Sequence, residues 1–233
     1  MEQVAGSEKP PLASDVELLN DKLAREHPSD DYYDRSPAPI RWIEQQRLRI
    51  IREMVSEDPG HRILEIGSGG GRVLRMFKRA KLTAVDVSDV FLDSAKKNLA
   101  GYDVEFIKGE IDKLSLPAEK FDRIICTEVL EHTKNPEAIL REIARLLRPG
   151  GRAVITVPND PLINRLKSVV RKTPVGWLLG GKIEWGGDIY HIHIWKPAEF
   201  RQLLERYFDV EEQRAAPNDW LPLRPCFLCR VKA

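Results

Sequence analysis

The amino-acid sequence predicts an α/β fold, a parallel sheet with helices on both faces. Three observations lead there. From residue 62 onward, short runs rich in β-branched residues alternate with longer stretches of helical periodicity. Turn signals separate them: Asp58-Pro59-Gly60, the glycine cluster at 67–71, and Pro149-Gly150-Gly151. The length, 233 residues, suits one such domain with an appendage, and no repeat at a solenoid period competes with that reading.

The elements follow in order. Residues 1–38 are rich in Pro, Ser and Asp and lack periodicity, which predicts a loose N-terminal segment before a domain spanning 39–233. IRWIEQQRLRIIREMV has apolar residues at 40, 43, 48, 50, 51 and 54, the spacing of an amphipathic helix. RILEI (62–66) reads as a strand and GRVLRMFKRA (71–80) as a helix. LTAVDV (82–87) is the next strand, VFLDSAKKNLA (90–100) the next helix, and VEFIKG (104–109) the third strand. FDRIICTE (121–128) is the fourth. Asn135 then caps a helix whose first residue is Pro136, and that helix runs to Arg148 before Pro149-Gly150-Gly151 stops it. RAVITVP (152–158) is the fifth strand. Residues 159–195 break the rhythm and read as a lid-like insertion. PAEFRQLLERYF (197–208) restores it as a helix, and two strand-like runs close the chain.

Composition excludes several classes. Hydrophobic residues are 42% and charged residues 31%, as in a folded globular chain. A net charge of +1 gives no global field for nucleic acid. No apolar run reaches the roughly 18 residues of a membrane span, and the N-terminus lacks the apolar stretch of a secretory signal. Three cysteines argue against a disulfide framework and for a reducing cytoplasm. Cys226 and Cys229 form a CxxC without the further ligands zinc needs, so packing is the simpler account.

The strongest functional signal is Glu65-Ile66-Gly67-Ser68-Gly69-Gly70-Gly71, between a predicted strand and a predicted helix. Glycines there allow a sharp turn and close approach of a ligand. Asp86 ends the second strand 21 residues after Glu65, where an acid can accept from ribose hydroxyls. Arg72 stands where a dinucleotide fingerprint wants Gly or Ala, so the loop suits a nucleoside without a pyrophosphate better than NAD.

With LEIGSGGGRV, TAVDVS, FIKGEIDKLSL, FDRIICTEVLEH and LLRPGGRAVITVP together, the chain resembles the class I S-adenosylmethionine-dependent methyltransferases over roughly 40–233. The resemblance implies a Rossmann-like, doubly wound sheet of seven strands, mostly parallel, with the last strand antiparallel beside the fifth. It implies S-adenosylmethionine as cofactor and S-adenosylhomocysteine as product. It places Gly67, Gly69 and Gly71 along the methionine and ribose, Glu65 near the amino group, and Asp86 on the ribose. Glu110, usually Asp in the family, would face the adenine amino group, Ile111 the ring edge, and Thr127 the sulfonium.

For the acceptor, Glu128-Val129-Leu130-Glu131-His132 reads E-x-x-E-H, which on a helical turn puts two carboxylates and an imidazole on one face. This resembles quinone-biosynthesis O-methyltransferases and small-RNA 2′-O-methyltransferases, where such a cluster and a later histidine bind a metal. His191 or His193 could be that histidine. A hydrogen-bonded structural cluster explains the same text, so Glu128, Glu131 and His132 stay candidates without an assigned metal. His132, His191 and His193 are the candidate catalytic residues, as bases or ligands. In Tyr190-His191-Ile192-His193 both histidines face one side if the segment is extended. Leu162, Ile163, Leu166, Val169 and Val170 fall at helical spacing, with Arg165, Lys167, Arg171 and Lys172 between them and Trp177-Leu178-Leu179 after. That profile fits either a lid packed on its own domain or a peripheral membrane contact through 162–179.

The sequence reading is thus a methyltransferase acting on a small-molecule or lipid-like acceptor, foremost at a hydroxyl oxygen. Nitrogen or carbon acceptors on another metabolite, and a non-catalytic cofactor-binding regulator, are the rivals. The oligomeric state is not legible.

Overall fold

The computed structural model describes residues 36–173 and 191–232. Seven strands form one sheet: β1 (Arg62–Ile66), β2 (Lys81–Asp86), β3 (Val104–Lys108), β4 (Phe121–Thr127), β5 (Leu147–Thr156), β6 (Phe208–Asn218) and β7 (Leu221–Val231). Their order is β3-β2-β1-β4-β5-β7-β6. The first five are mutually parallel, and β7 lies antiparallel between β5 and β6. The strand order reverses at β1 and β4, and in open α/β sheets ligands bind beyond the carboxyl ends of the strands at such a switch.

Helices cover both faces: α1 (Ala38–Val55), α2 (Asp89–Asn98), α3 (Pro136–Leu146), α4 (Asp160–Arg171) and α5 (Pro197–Leu204). The central strands feed two cores by simple alternation. Ile124, Cys126, Ala153 and Ile155 join Leu140, Ile143, Phe200 and Phe227 on one face. Ile125, Val154 and Cys226 join Ile51, Met54, Phe77 and Leu99 on the other. All three cysteines are buried and unpaired. Burial pushes the Cys226 thiol up to about 12 and raises those of Cys126 and Cys229 as well.

Local chemistry sets the helix starts. Ser88 caps α2, its Oγ accepting from the Phe91 N–H. Asn135 caps α3 by accepting from the Ala138 N–H, with Pro136 as first residue. Asn159 caps α4 by accepting from the Leu162 N–H.

Three helices differ most from the sequence reading, and β5 begins at Leu147 where a strand from 152 was expected. The helix expected over 71–80 is a single 3₁₀ turn, Leu74–Met76. Val73, Leu74, Phe77 and Ala80 are buried as a helix would bury them, but the chain is tied down after the turn. The Arg79 N–H donates to Glu57, and the Arg79 carbonyl accepts from the Gly60 N–H. The α3 helix ends at Leu146, because Leu147 is already extended and pairs with Phe121; Arg148, which precedes Pro149, is biased against helix. The last helix stops at Leu204, since Phe208 is claimed by β6. No helix among the described residues is long and apolar enough to cross a membrane. The readings for 1–35 and 174–190, including Trp177-Leu178-Leu179 and Tyr190, fall outside the described residues.

Candidate active site

Glycines shape the loop after β1. Gly67, Gly69 and Gly71 have φ of 68°, 50° and 80°, the left-handed region that a Cβ disfavours. A Cβ on Gly67 would lie 2.4 Å from Cγ2 of Val129, and one on Gly71 would lie 2.8 Å from Cδ1 of Leu99. A Cβ on Gly69 would meet nothing within 4 Å. Gly67 therefore admits the loop after β4, Gly71 admits α2, and Gly69 borders open space. Asn98 of α2 steadies the turn by donating to the Gly70 carbonyl at 2.9 Å.

That open space is a cavity of about 450 Å³ whose lining includes Gly67, Gly69, Asp86, Glu110, Ile111, Glu128 and His132. Ile66, Val85, Val87, Phe91, Val129 and Ile139 supply apolar wall. Asp86 is buried. Its Oδ2 accepts from the Gly69 N–H at 2.8 Å and its Oδ1 from the Ser88 N–H at 2.9 Å. The acid at the end of β2 thus braces the glycine loop in the cavity lining.

Glu65, Gly71 and Thr127 are set apart from this lining. The position a Cβ would take on Gly71 faces Leu99 and Ala95 of α2. Thr127 is buried at the end of β4, paired with Thr156. Glu65 is buried behind the loop, where burial drives its carboxyl well above the usual range against the pull of Arg47. Its Oε2 has no hydrogen-bond partner among the described residues.

Beside Glu65 runs an ion network that the sequence reading missed. Arg47 of α1 donates to both Glu44 oxygens, at 2.9 and 2.8 Å. It also reaches Thr156 Oγ1 at 3.5 Å and lies 4.0 Å from Glu128. Burial pushes the Glu44 carboxyl up, but the charge and hydrogen bonds of Arg47 outweigh it, and the group titrates below its ordinary value. Residues 44, 47, 51 and 54 recur at three and four, so the helix repeat itself carried the signal that this pair faces inward. Of the apolar positions expected to form that face, Ile40, Ile43 and Leu48 are only partly buried.

The E-x-x-E-H text does not form one helical face. Glu128 has φ of 56°, and only Leu130–His132 makes a 3₁₀ turn. Glu128 turns away to pair with Arg224 of β7 and accepts from Thr156 Oγ1 at 3.0 Å. Glu131, His132 and His191 do converge, with one potential ligand atom each, all within 4.8 Å of one another. Glu131 is buried, and neither carboxylate oxygen has a hydrogen-bond partner among the described residues. Burial and then the charge of Glu128 push its carboxyl well above the usual range. The His132 and His191 rings meet edge-on with centroids 4.9 Å apart. The Ile192 and His193 N–H groups both donate to the Glu131 carbonyl, at 2.7 and 3.1 Å, which pins the later segment to the earlier one. A buried carboxylate with bare oxygens beside two imidazoles is a donor set that suits a divalent cation.

His193 is not part of this cluster. The chain bends at Ile192, so the alternation expected of an extended segment fails. The His193 ring stacks on Trp195 at 5.1 Å, and Trp195 leans on Phe200 of the core. Of the predicted amphipathic stretch, α4 forms, with Arg165, Val169 and Arg171 exposed and Lys167 buried.

Residues 64–155 match a family described as a methyltransferase domain. The mitochondrial ubiquinone biosynthesis O-methyltransferase of Schizosaccharomyces pombe is 36% identical over 161 residues, 62% of this chain and 58% of that one. The ubiquinone biosynthesis O-methyltransferase of Dechloromonas aromatica is 32% identical over 54% of this chain and 53% of its own. The chain thus spans somewhat more than half the length of these curated relatives. Magnesium protoporphyrin IX methyltransferase from Synechocystis PCC 6803, solved with bound SAH, superposes with a TM-score of 0.66 at 16% identity, covering 93% of this chain and 99% of that one.

Proposed function

We propose that this chain carries a class I, S-adenosylmethionine-dependent methyltransferase domain and transfers the cofactor's methyl group to a hydroxyl oxygen of a small, lipid-like acceptor. One observation carries the reading: the Glu131–His132–His191 cluster adjoins the nucleoside-sized cavity, and His132 belongs to both. Oxygen as the acceptor atom, and a quinone-like acceptor, are taken from the two O-methyltransferases that the chain resembles.

The roles are those the resemblance implies, and the cavity lining supports them. Asp86 receives the ribose hydroxyls, and the backbone of Gly67 and Gly69 lies along the methionine and ribose. Glu110 and Ile111 read the adenine edge. Glu65 supports the loop from behind, and Thr127 supports the end of β4. The apolar wall excludes water from the sulfonium, whose methyl is intrinsically electrophilic. Glu131, His132 and His191 would hold a divalent cation, which supplies Lewis acidity toward an acceptor hydroxyl. His132 spans the two compartments and so fixes where the acceptor oxygen sits relative to the methyl group. The exposed basic residues of α4, with Val169 among them, suit contact with an anionic bilayer that delivers such an acceptor.

The test is S-adenosylhomocysteine release with hydroxylated aromatic and isoprenoid acceptors, with and without a chelator. Turnover of hydroxylated aromatics with apolar tails, lost on chelation and restored by Mg²⁺ or Mn²⁺, is expected. Chelator-insensitive turnover removes the cation, and preferential turnover of amine acceptors removes the oxygen assignment.

A further inference from the structure

His191 is held from behind. Its Nδ1 lies 2.7 Å from Oδ2 of Asp160. Both groups are withdrawn from solvent, the Asp160 side chain at 2% exposure and that of His191 at 10%. Asp160 is the first residue of α4, and its neighbour Asn159 is tied to β7 twice. The Asn159 N–H donates to the Leu223 carbonyl at 3.0 Å and its Nδ2 donates to the Pro222 carbonyl at 2.9 Å. The carboxylate therefore sits on a rigid corner of the sheet.

A carboxylate can only accept, so the contact requires the His191 proton to be on Nδ1. That leaves Nε2 as the ring nitrogen available to Glu131 and His132. We infer that Asp160 is a positioning residue: it fixes His191 in the Nδ1–H tautomer and aims the Nε2 lone pair into the Glu131–His132–His191 cluster. The cluster's role as a cation site rests on the function proposed above, whereas the tautomer does not. A histidine that ligates through one nitrogen commonly donates from the other to a carboxylate, and losing that partner typically costs 10–100-fold in metal affinity. Asp160 has this geometry, although it lies 29 residues from Glu131 and 31 from His191 in sequence. The main-chain bonds from Ile192 and His193 to Glu131 position the backbone of the histidine segment; the carboxylate orients its ring.

The experiment uses the full chain. Long-range ¹H–¹⁵N correlation of the metal-free protein reads the tautomer directly. In the wild type, His191 should show a protonated Nδ1 and an unprotonated Nε2; in Asp160→Ala, the ring should shift toward the Nε2–H form. Mn²⁺ titration should then give affinity about 10–100-fold lower for Asp160→Ala, with S-adenosylhomocysteine affinity unchanged. Asp160→Glu should recover part of the Mn²⁺ affinity. A wild-type His191 protonated on Nε2 would overturn the inference, as would equal Mn²⁺ affinity in wild type and Asp160→Ala. So would a parallel fall in S-adenosylhomocysteine affinity, which would mark a general disturbance. If the wild type binds no Mn²⁺ yet shows the Nδ1–H tautomer, the clamp stands and the cation reading of the site falls.

Discussion

Gly67 and Gly69 lie two residues apart, share a left-handed backbone, and should respond to alanine in opposite ways. At either position alanine meets the conformational cost of positive φ, about 1–2 kcal/mol. At Gly69, with φ of 50°, nothing lies within 4 Å of the new Cβ. The methyl group projects beside the cavity, so Gly69→Ala should lose only that backbone cost in stability while blocking the cofactor. At Gly67, with φ of 68°, the Cβ would stand 2.4 Å from Cγ2 of Val129. Val129 or the loop after β4 must move, which adds about 1–3 kcal/mol of overpacking. Gly67→Ala should therefore be less stable than Gly69→Ala by about 1–3 kcal/mol. The clash involves one side chain, so Val129→Ala should return most of that difference in the double variant. Urea denaturation measures the stabilities, and calorimetric titration with S-adenosylhomocysteine measures binding. Wild-type affinity in Gly69→Ala would place the cofactor elsewhere. Equal stability of the two single variants, or no recovery with Val129→Ala, would refute the steric argument.

Asp86→Ala should weaken S-adenosylhomocysteine binding by about 1–3 kcal/mol, the scale of hydrogen bonds to a charged group, measured by the same titration. Two buried glutamates give opposite pH signatures in urea denaturation. The Glu44 carboxyl is depressed by Arg47, so its stabilisation is present above the ordinary value of 4.5 and is lost as pH falls through the folded value. Glu44→Gln should flatten that acid limb and cost up to about 3–5 kcal/mol near neutrality, since Arg47 stays buried. The Glu65 carboxyl is raised by burial, so its cost grows as pH rises from 4.5 toward the folded value; Glu65→Gln should be more stable than wild type near neutral pH. For α4, changing Arg165 and Arg171 to Glu should reduce sedimentation with anionic vesicles, and unchanged sedimentation would remove the electrostatic contact.

The centre of the sheet was legible because its strands are buried on both sides and write apolar runs, as in IIC of β4, whereas the edge strand β3 is only partly buried. The stretch 71–80 shows the limit of periodicity. Its buried positions match a helix, yet its hydrogen bonds close only one 3₁₀ turn. Spacing reports which side chains face inward and is silent on where the backbone bonds go. The same limit divides the site. Glu131 and His132 are adjacent in the chain and were readable as a cluster. Glu128 was misplaced because its left-handed backbone turns the carboxylate toward Arg224, a partner 96 residues away. Glu44 and Arg47 fall on the helical repeat of Ile51 and Met54, which marks them as inward-facing, but nothing local names Thr156 and Glu128 as the neighbours of Arg47. Asp160 went unread because nothing local joins it to His191, 31 residues away.

The three thiols supply a clock for this architecture. Cys126 sits in β4, and Cys226 and Cys229 sit in the neighbouring part of β7 beyond β5, all at 0% exposure. A thiol reagent needs the thiolate and a path to it, and burial withholds both. Labelling of native protein should then proceed only through openings that part the centre of the sheet, and its rate reports their free energy without denaturant. Because β5 lies between β4 and β7, Cys126 and Cys226 modified together would indicate one cooperative unit. Cys229 modified first would indicate that the β6–β7 hairpin peels away from a sheet whose cofactor half stays closed.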